Sequence, residues 1–138
     1  MNTREYGRLG ENSAAEMLSS KGYTVTGRNV QVGHDEIDVL AENDSYLVFA
    51  EVKTRRQIPD TASPFGTPAS AVDEKKQNNL VRAAENYIAA HPTEKIPRID
   101  VIEVYADPRC KEYRVLDIRH FENAVMKRGR FSRNPRRK

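Results

Sequence analysis

Two alternating segments, Glu36–Ala41 and Tyr46–Lys53, are separated only by Glu42-Asn43-Asp44-Ser45. A two-residue apolar period marks extended chain. A parallel crossover needs a dozen or more linking residues, so these strands must form an antiparallel hairpin. That requirement constrains the fold most, because every other segment has to be added to a sheet already begun by residue 53.

The flanking segments supply helices and further strands. Ahead of the hairpin, Glu5–Ser20 carries Ala14, Ala15, Met17 and Leu18 at helical spacing, and Lys21-Gly22 offers a basic last turn and a C-cap glycine. Tyr23–Val32 reads as a strand in which Gly27 marks a bulge or break. Gln57–Ser70, with three prolines and Gly66, is expected as a long surface loop. Asp73–His91 returns to helical periodicity through Leu80, Ala83, Ala84, Tyr87 and Ile88, with Pro92 beyond its end. Arg98–Tyr105 and Tyr113–Ile118 are two more strands around Asp107-Pro108, and His120–Lys127 is expected as a short last helix. Such an order gives an α/β sandwich around a mixed sheet. A chain of 138 residues has room for one core, so residues 1–126 are expected as the domain and 127–138 as a basic tail.

Charge divides along the chain. Residues 1–126 hold 16 Lys/Arg against 20 Asp/Glu, whereas the last twelve hold Lys127, Arg128, Arg130, Arg133, Arg136, Arg137 and Lys138 and no acid. A tail of that kind is drawn to polyanions, nucleic acid above all, or serves only to keep the protein soluble. The longest apolar stretch, Tyr46–Ala50, is far too short to span a bilayer, and no apolar segment follows Met1, so neither a membrane span nor a secretory signal is expected. A lone Cys110 excludes an internal disulfide and suits a reducing cytoplasm. His34, His91 and His120 are scattered without metal-ligand spacing.

Chemistry concentrates in the hairpin. Glu51 and Lys53 share one face of their strand, with Val48, Ala50 and Val52 on the other. On the partner strand, Ile37 and Val39 are expected on one face and Glu36, Asp38 and Leu40 on the other. If Glu42–Ser45 is the loop, Ala41 faces Tyr46, Asp38 faces Phe49 and Glu36 faces Glu51. Asp38 then lies diagonal to Glu51 on one face, roughly 7–8 Å away, close enough for both carboxylates to reach one ion. A slip of one residue would part them. Two neighbouring carboxylates repel, and a divalent cation reverses that balance; oxygen donors of this kind suit Mg²⁺ or Mn²⁺ better than zinc or copper. Lys53 could orient an attacking water or help take its proton. The alternative is a solvated strand surface on which Glu36, Glu51 and Lys53 merely pair across strands. Glu11, three residues before Ala14 and seven before Leu18, falls on the apolar stripe of the first helix and should point toward the sheet, or it simply complements the helix dipole.

Taken together, Gly10-Glu11 with Ala14 or Ala15 and Leu18, Gly22-Tyr23, Arg28-Asn29, Glu36-Ile37-Asp38, Phe49-Ala50-Glu51-Val52-Lys53-Thr54-Arg55, Phe65-Gly66, Lys75 or Lys76, and Ile99-Asp100-Val101 resemble the YraN-like predicted endonucleases of bacteria. The resemblance covers about residues 4 to 120. That family is placed with the PD-(D/E)xK nucleases, is similar to archaeal Holliday-junction resolvases, and implies a restriction-endonuclease-like α/β/α sandwich with a central mixed sheet. Asp38 takes the place of the motif's first acid, Glu51-Val52-Lys53 that of (D/E)-x-K, and Glu11 that of the helix-borne acid. Ile37 stands where the motif has proline, Asp35 where glycine is commoner, and Ala50 where a bulkier aliphatic is usual. The resemblance implies hydrolysis of DNA phosphodiesters with Mg²⁺ or Mn²⁺ held by Asp38, Glu51 and the Val52 carbonyl, and by Glu11 directly or through water. Arg55, Arg56, Lys75 and Lys76 become candidate phosphate contacts, and Arg128, Arg130 and Arg133 in the tail would add salt-sensitive affinity. The DNA could be branched or single-stranded, and a resolvase role would require a homodimer presenting two sites. A non-catalytic nucleic-acid-binding or adaptor protein that keeps the fold is the competing reading.

Overall fold

The computed structural model describes residues 2–59 and 73–125. Helix α1 spans Thr3–Ser20, β1 Thr24–Val32, β2 Asp35–Glu42, β3 Tyr46–Arg56, α2 Glu74–Ala90, β4 Ile96–Ala106 and β5 Val115–Val125. The five strands form one sheet in the order β1-β2-β3-β4-β5. Only β3 and β4 run parallel, because α2 lies between them in the chain and carries it back across the sheet. The fold is therefore α/β with a mixed sheet. Most of the expected Gln57–Ser70 loop and the whole basic tail, with Arg128, Arg130 and Arg133, lie outside the described residues.

Each helix begins on a side-chain cap. Asn2 accepts from the Glu5 N–H while Glu5 reaches back to the Asn2 N–H, a reciprocal box that satisfies two otherwise orphaned donors. At the start of α2 the Asp73 side chain accepts the Lys76 N–H, a single cap without the return bond. Helix α1 ends at Ser20, with Lys21 as its C-cap and Gly22 following at φ 97°, a left-handed turn that glycine adopts without strain.

The helices cover opposite faces. Ala14 and Leu18 of α1 pack on Val39, Ala41, Val48, Ala50, Val52, Ile102 and Val104, whereas Leu80, Val81, Ala83 and Ala84 of α2 pack on Ile37, Leu40, Phe49, Ile99 and Val101. Burying a side chain such as Leu18 or Phe49 stabilises by about 1.5–3 kcal/mol, so the alternating strands give each helix a separate reason to dock. The bulge expected at Gly27 is present as a register shift between Val25 and Gly27.

Three expectations need correction. The β2–β3 register pairs Val39 with Ala50 and Leu40 with Phe49, two residues away from the expected pairing; continued by one position it sets Asp38 opposite Glu51 instead of diagonal to it. A shift of two preserves the face, which is why the two acids still converge. Ile37 and Val39 do not share a face, since Ile37 joins the α2 layer and Val39 the α1 layer. Simple alternation fails at Asp38, where the neighbouring β1 residue, Asn29, is left-handed at φ 48°. Finally, His120–Val125 is not a helix but the second half of β5, in which His120 pairs with Ile102 and Phe121 with Val101. The short apolar spacing of Phe121, Ala124 and Val125 fits either state, and long-range bonds decide it. Asp100, fully buried on β4, accepts from Arg98, from His120 Nε2 at 2.7 Å and from the Asn123 N–H at 2.9 Å. Lys21 Nζ lies 2.9 Å from the other ring nitrogen of His120. An ammonium can only donate, so Nδ1 accepts and Nε2 carries the proton given to Asp100. Arg98 also donates to the Tyr23 hydroxyl at 2.6 Å, which ties the end of α1 to this corner.

Candidate functional site

Strands β2 and β3 are paired only where Val39–Glu42 meets Leu47–Ala50. Before Val39, β2 stays with β1 as far as Asp35, while β3 continues along β4 to Arg56. The sheet therefore forks at Asp38 and Glu51. Asp38 Oδ2 accepts the Val52 N–H at 2.9 Å, replacing a strand-to-strand bond with a side-chain one. Burial, reinforced by the Glu51 carboxylate, pushes the Asp38 pKa up from 3.8 to about 7. Glu51 is 5% exposed and is likewise raised, burial outweighing the lowering influence of Lys76, Asp38 and Lys53. Its Oε2 lies 3.6 Å from Lys76 Nζ on α2, and its buried Oε1 has no hydrogen-bond partner among the described residues. An unsatisfied buried carboxylate oxygen costs on the order of 1–3 kcal/mol or more. The arrangement makes chemical sense if something positively charged completes it.

Helix α1 brings the third acid close. A Cβ at Gly10 would run into the Thr54 side chain, so glycine at this position lets the helix lie directly against β3 and sets Glu11 beside Val52 and Lys53. Glu11 Oε1 accepts from Asn29 Nδ2 at 3.0 Å and lies 4.0 Å from Arg28. Burial raises its pKa, Asn29 opposes this, and Asp38 and Glu36 add to the rise. Glu11 feels Asp38 but does not close on the pair. Among the described residues no three His, Cys, Asp or Glu side chains come near enough to hold a metal together. Asp38 and Glu51 are the two carboxylates available as direct donors.

The expected cations occupy different surroundings. Lys53 is exposed two residues beyond Glu51. Arg55 lies 3.6 Å from Glu103, a buried acid of β4 that also accepts the Tyr105 hydroxyl at 2.8 Å. Arg56 sits 5.0 Å above the Tyr6 ring. Lys75 is exposed on the first turn of α2, and Lys76 holds Glu51. The pairing of Lys76 with Glu51, the Glu103–Tyr105 pair and the Asn29 support of Glu11 were not legible in sequence. For Glu51 and Glu103 the only outward sign is an acid inside a largely apolar strand.

The profile of the uncharacterised protein family UPF0102 matches residues 10–104. The chain belongs to this family. A UPF0102 protein of Symbiobacterium thermophilum is 42% identical over 114 residues, covering 79% of this chain and 92% of its own length. One of Caldicellulosiruptor saccharolyticus is 38% identical over 125 residues, or 90% and 99% of the two chains, and one of Caldanaerobacter subterraneus is 41% identical over 109 residues, or 78% and 85%. These matches bear out the YraN-like resemblance at the level of the family. The UPF0102 span takes in Glu11, Asp38, Glu51, Lys53 and Lys76, and thus every side chain at the fork. No helix of the described residues is long and apolar enough to cross a membrane.

Proposed function

We propose that this UPF0102 protein is a cytoplasmic endonuclease of the PD-(D/E)xK, restriction-endonuclease-like class that hydrolyses phosphodiesters in DNA with Mg²⁺ or Mn²⁺. The observation that carries the reading is the Asp38–Glu51 pair, Glu51 buried and Asp38 half-buried, both pKa values raised, with Glu51 Oε1 unpartnered among the described residues. Hard oxygen donors fit hard cations, and Mg²⁺ is commonly held by one or two carboxylates with water and substrate phosphate filling the other positions, so the donor set suits the ion. Asp38, Glu51 and the Val52 carbonyl would hold it. When bound there, such a cation would acidify a water and stabilise charge on the attacked phosphate.

The chain's own groups would do the rest. The Val52 N–H fixes the Asp38 carboxylate through Oδ2. Lys53, exposed beside the pair, would orient the attacking water and offset developing negative charge. Glu11, steadied by Asn29, would act through water. Lys76 would trade its place on Glu51 for a phosphate oxygen as DNA binds, with Arg55, Lys75 and the tail adding backbone contacts. Cutting at a branched junction would take two copies, each presenting one site. The test is cleavage of branched and single-stranded DNA in Mn²⁺. Activity lost in Asp38→Asn and Glu51→Gln, both still folded, supports the reading; undiminished cleavage in either refutes the site.

One observation favours a second reading, a non-catalytic nucleic-acid adaptor. Lys76 already brings a positive charge to Glu51, a role a metal would otherwise fill. DNA binding without any cleavage or divalent-ion binding would select it.

A further inference from the structure

A cleft of about 370 Å³ opens beside the fork, between the first two turns of α1 and the end of β3. Glu11 and Lys53 line its inner side, Tyr6 and Gly7 its helical wall, and Thr54 and Arg56 its strand wall. The Arg56 guanidinium lies over the Tyr6 ring, 5.0 Å from its centroid, while Arg56 itself stays exposed. Such a plane is a ready platform for a base, because guanidinium and aromatic faces both stack on nucleobases. The helix N-terminus is not what would attract a ligand here, since Asn2 and Glu5 already occupy its cap. The cations Lys53 and Arg56 would. The helical wall is open as well: a Cβ at Gly7 would meet nothing within 4 Å. At this volume the cleft is at the small end of ligand pockets, with room for one nucleotide and none for a duplex.

We propose that this cleft takes one unpaired nucleotide next to the scissile phosphate, with its base on Arg56 and its phosphate toward Lys53. The inference rests on the nuclease reading and deepens it, because it makes the substrate DNA in which a nucleotide is free to leave the stack: single strands, flaps or branch points. A fully paired duplex would first have to surrender a base, at a cost of a few kcal/mol.

The experiment uses the full chain, a fluorescein-labelled dT oligonucleotide and a hairpin duplex of the same length, with Ca²⁺ replacing Mn²⁺ and binding read by anisotropy. Gly7→Leu projects a side chain into the open cleft. It should keep or raise the melting temperature and weaken dT binding by about tenfold or more, as expected when one stacked base is removed, with a much smaller change on the hairpin. Arg56→Gln, at an exposed position, should shift the same preference in the same direction and guards against misfolding of the first variant. Wild-type binding to dT that neither variant alters overturns the proposal, as does equal loss on both DNAs or no dT binding by the wild type. Selective loss in the variants combined with a wild type that cleaves nothing in Mn²⁺ would overturn the nuclease reading while leaving an unpaired-nucleotide cleft in place.

Discussion

Replacing Asp38 with Asn in metal-free protein should make the fold more stable at neutral and alkaline pH. The Asp38 carboxyl titrates at about 7 when folded against an ordinary 3.8. Between those values the folded protein holds a proton that the unfolded chain releases, so stability falls as pH rises through the window and the loss is complete above about 7. A rise of this size corresponds to about 4 kcal/mol at most, and relaxation around the Asp38–Glu51 pair reduces it to the order of 2–4 kcal/mol. Asn keeps an oxygen to accept the Val52 N–H and removes the charge. Asp38→Asn in EDTA should therefore gain roughly 2–4 kcal/mol at pH 8, a melting temperature higher by about 5–15 °C for a domain of this size, and gain little at pH 4. Thermal and urea melts of both proteins at pH 4, 6 and 8 measure it. A variant no more stable than wild type at pH 8 would refute the reasoning, since it would mean the two carboxylates impose no cost on the fold.

Three further outcomes follow from the same geometry. Gly10→Ala should cost about 1–3 kcal/mol by overpacking against Thr54, whereas Gly7→Ala, with open space around it, should gain up to about 1 kcal/mol from helix propensity; paired urea melts separate them. Burial opposes ionisation of Asp100, but His120, Arg98 and the Asn123 N–H overcome it and hold the carboxyl below its usual range, so its contribution is present above pH 4, is lost as pH falls through the depressed value, and disappears with about 3–5 kcal/mol of stability in Asp100→Ala, which strands buried Arg98. Deleting residues 128–138 should make the slope of log affinity against log salt shallower by roughly 0.9 for each phosphate of duplex DNA that the tail had neutralised, read by anisotropy across a salt series, with the melting temperature unchanged.

Local chemistry made the hairpin, both helices and the faces of β3 readable in advance. A four-residue polar loop between alternating runs leaves few pairings, and a two-residue error in register still delivers Asp38 and Glu51 to one side. What escaped was decided at long range. The fate of His120–Val125 depends on Asp100, 20 residues away in the chain from His120, and no local spacing encodes it. The parting of Ile37 from Val39 depends on the fork at Asp38. Gly10 and Glu11 were visible as a pair, but the reason for the glycine is Thr54 on β3, a neighbour it acquires only after the helix has docked. Lys76 was legible as a cation and not as the partner of Glu51, because α2 reaches the fork only through the tertiary fold.

Titrating Mn²⁺ into the metal-free protein by calorimetry tests most directly whether Asp38 and Glu51 form a divalent-cation site. Near pH 6, below the Asp38 value of about 7, binding should be saturable at one ion per chain and release close to one proton, detected by repeating the titration in buffers of different ionisation enthalpy. The release should fade near pH 8.5, and both signals should vanish in Asp38→Asn and Glu51→Gln. Absence of saturable heat and of any rise in melting temperature up to about 100 times the micromolar-to-millimolar affinities usual for such ions, or full binding retained in either variant, would contradict the account.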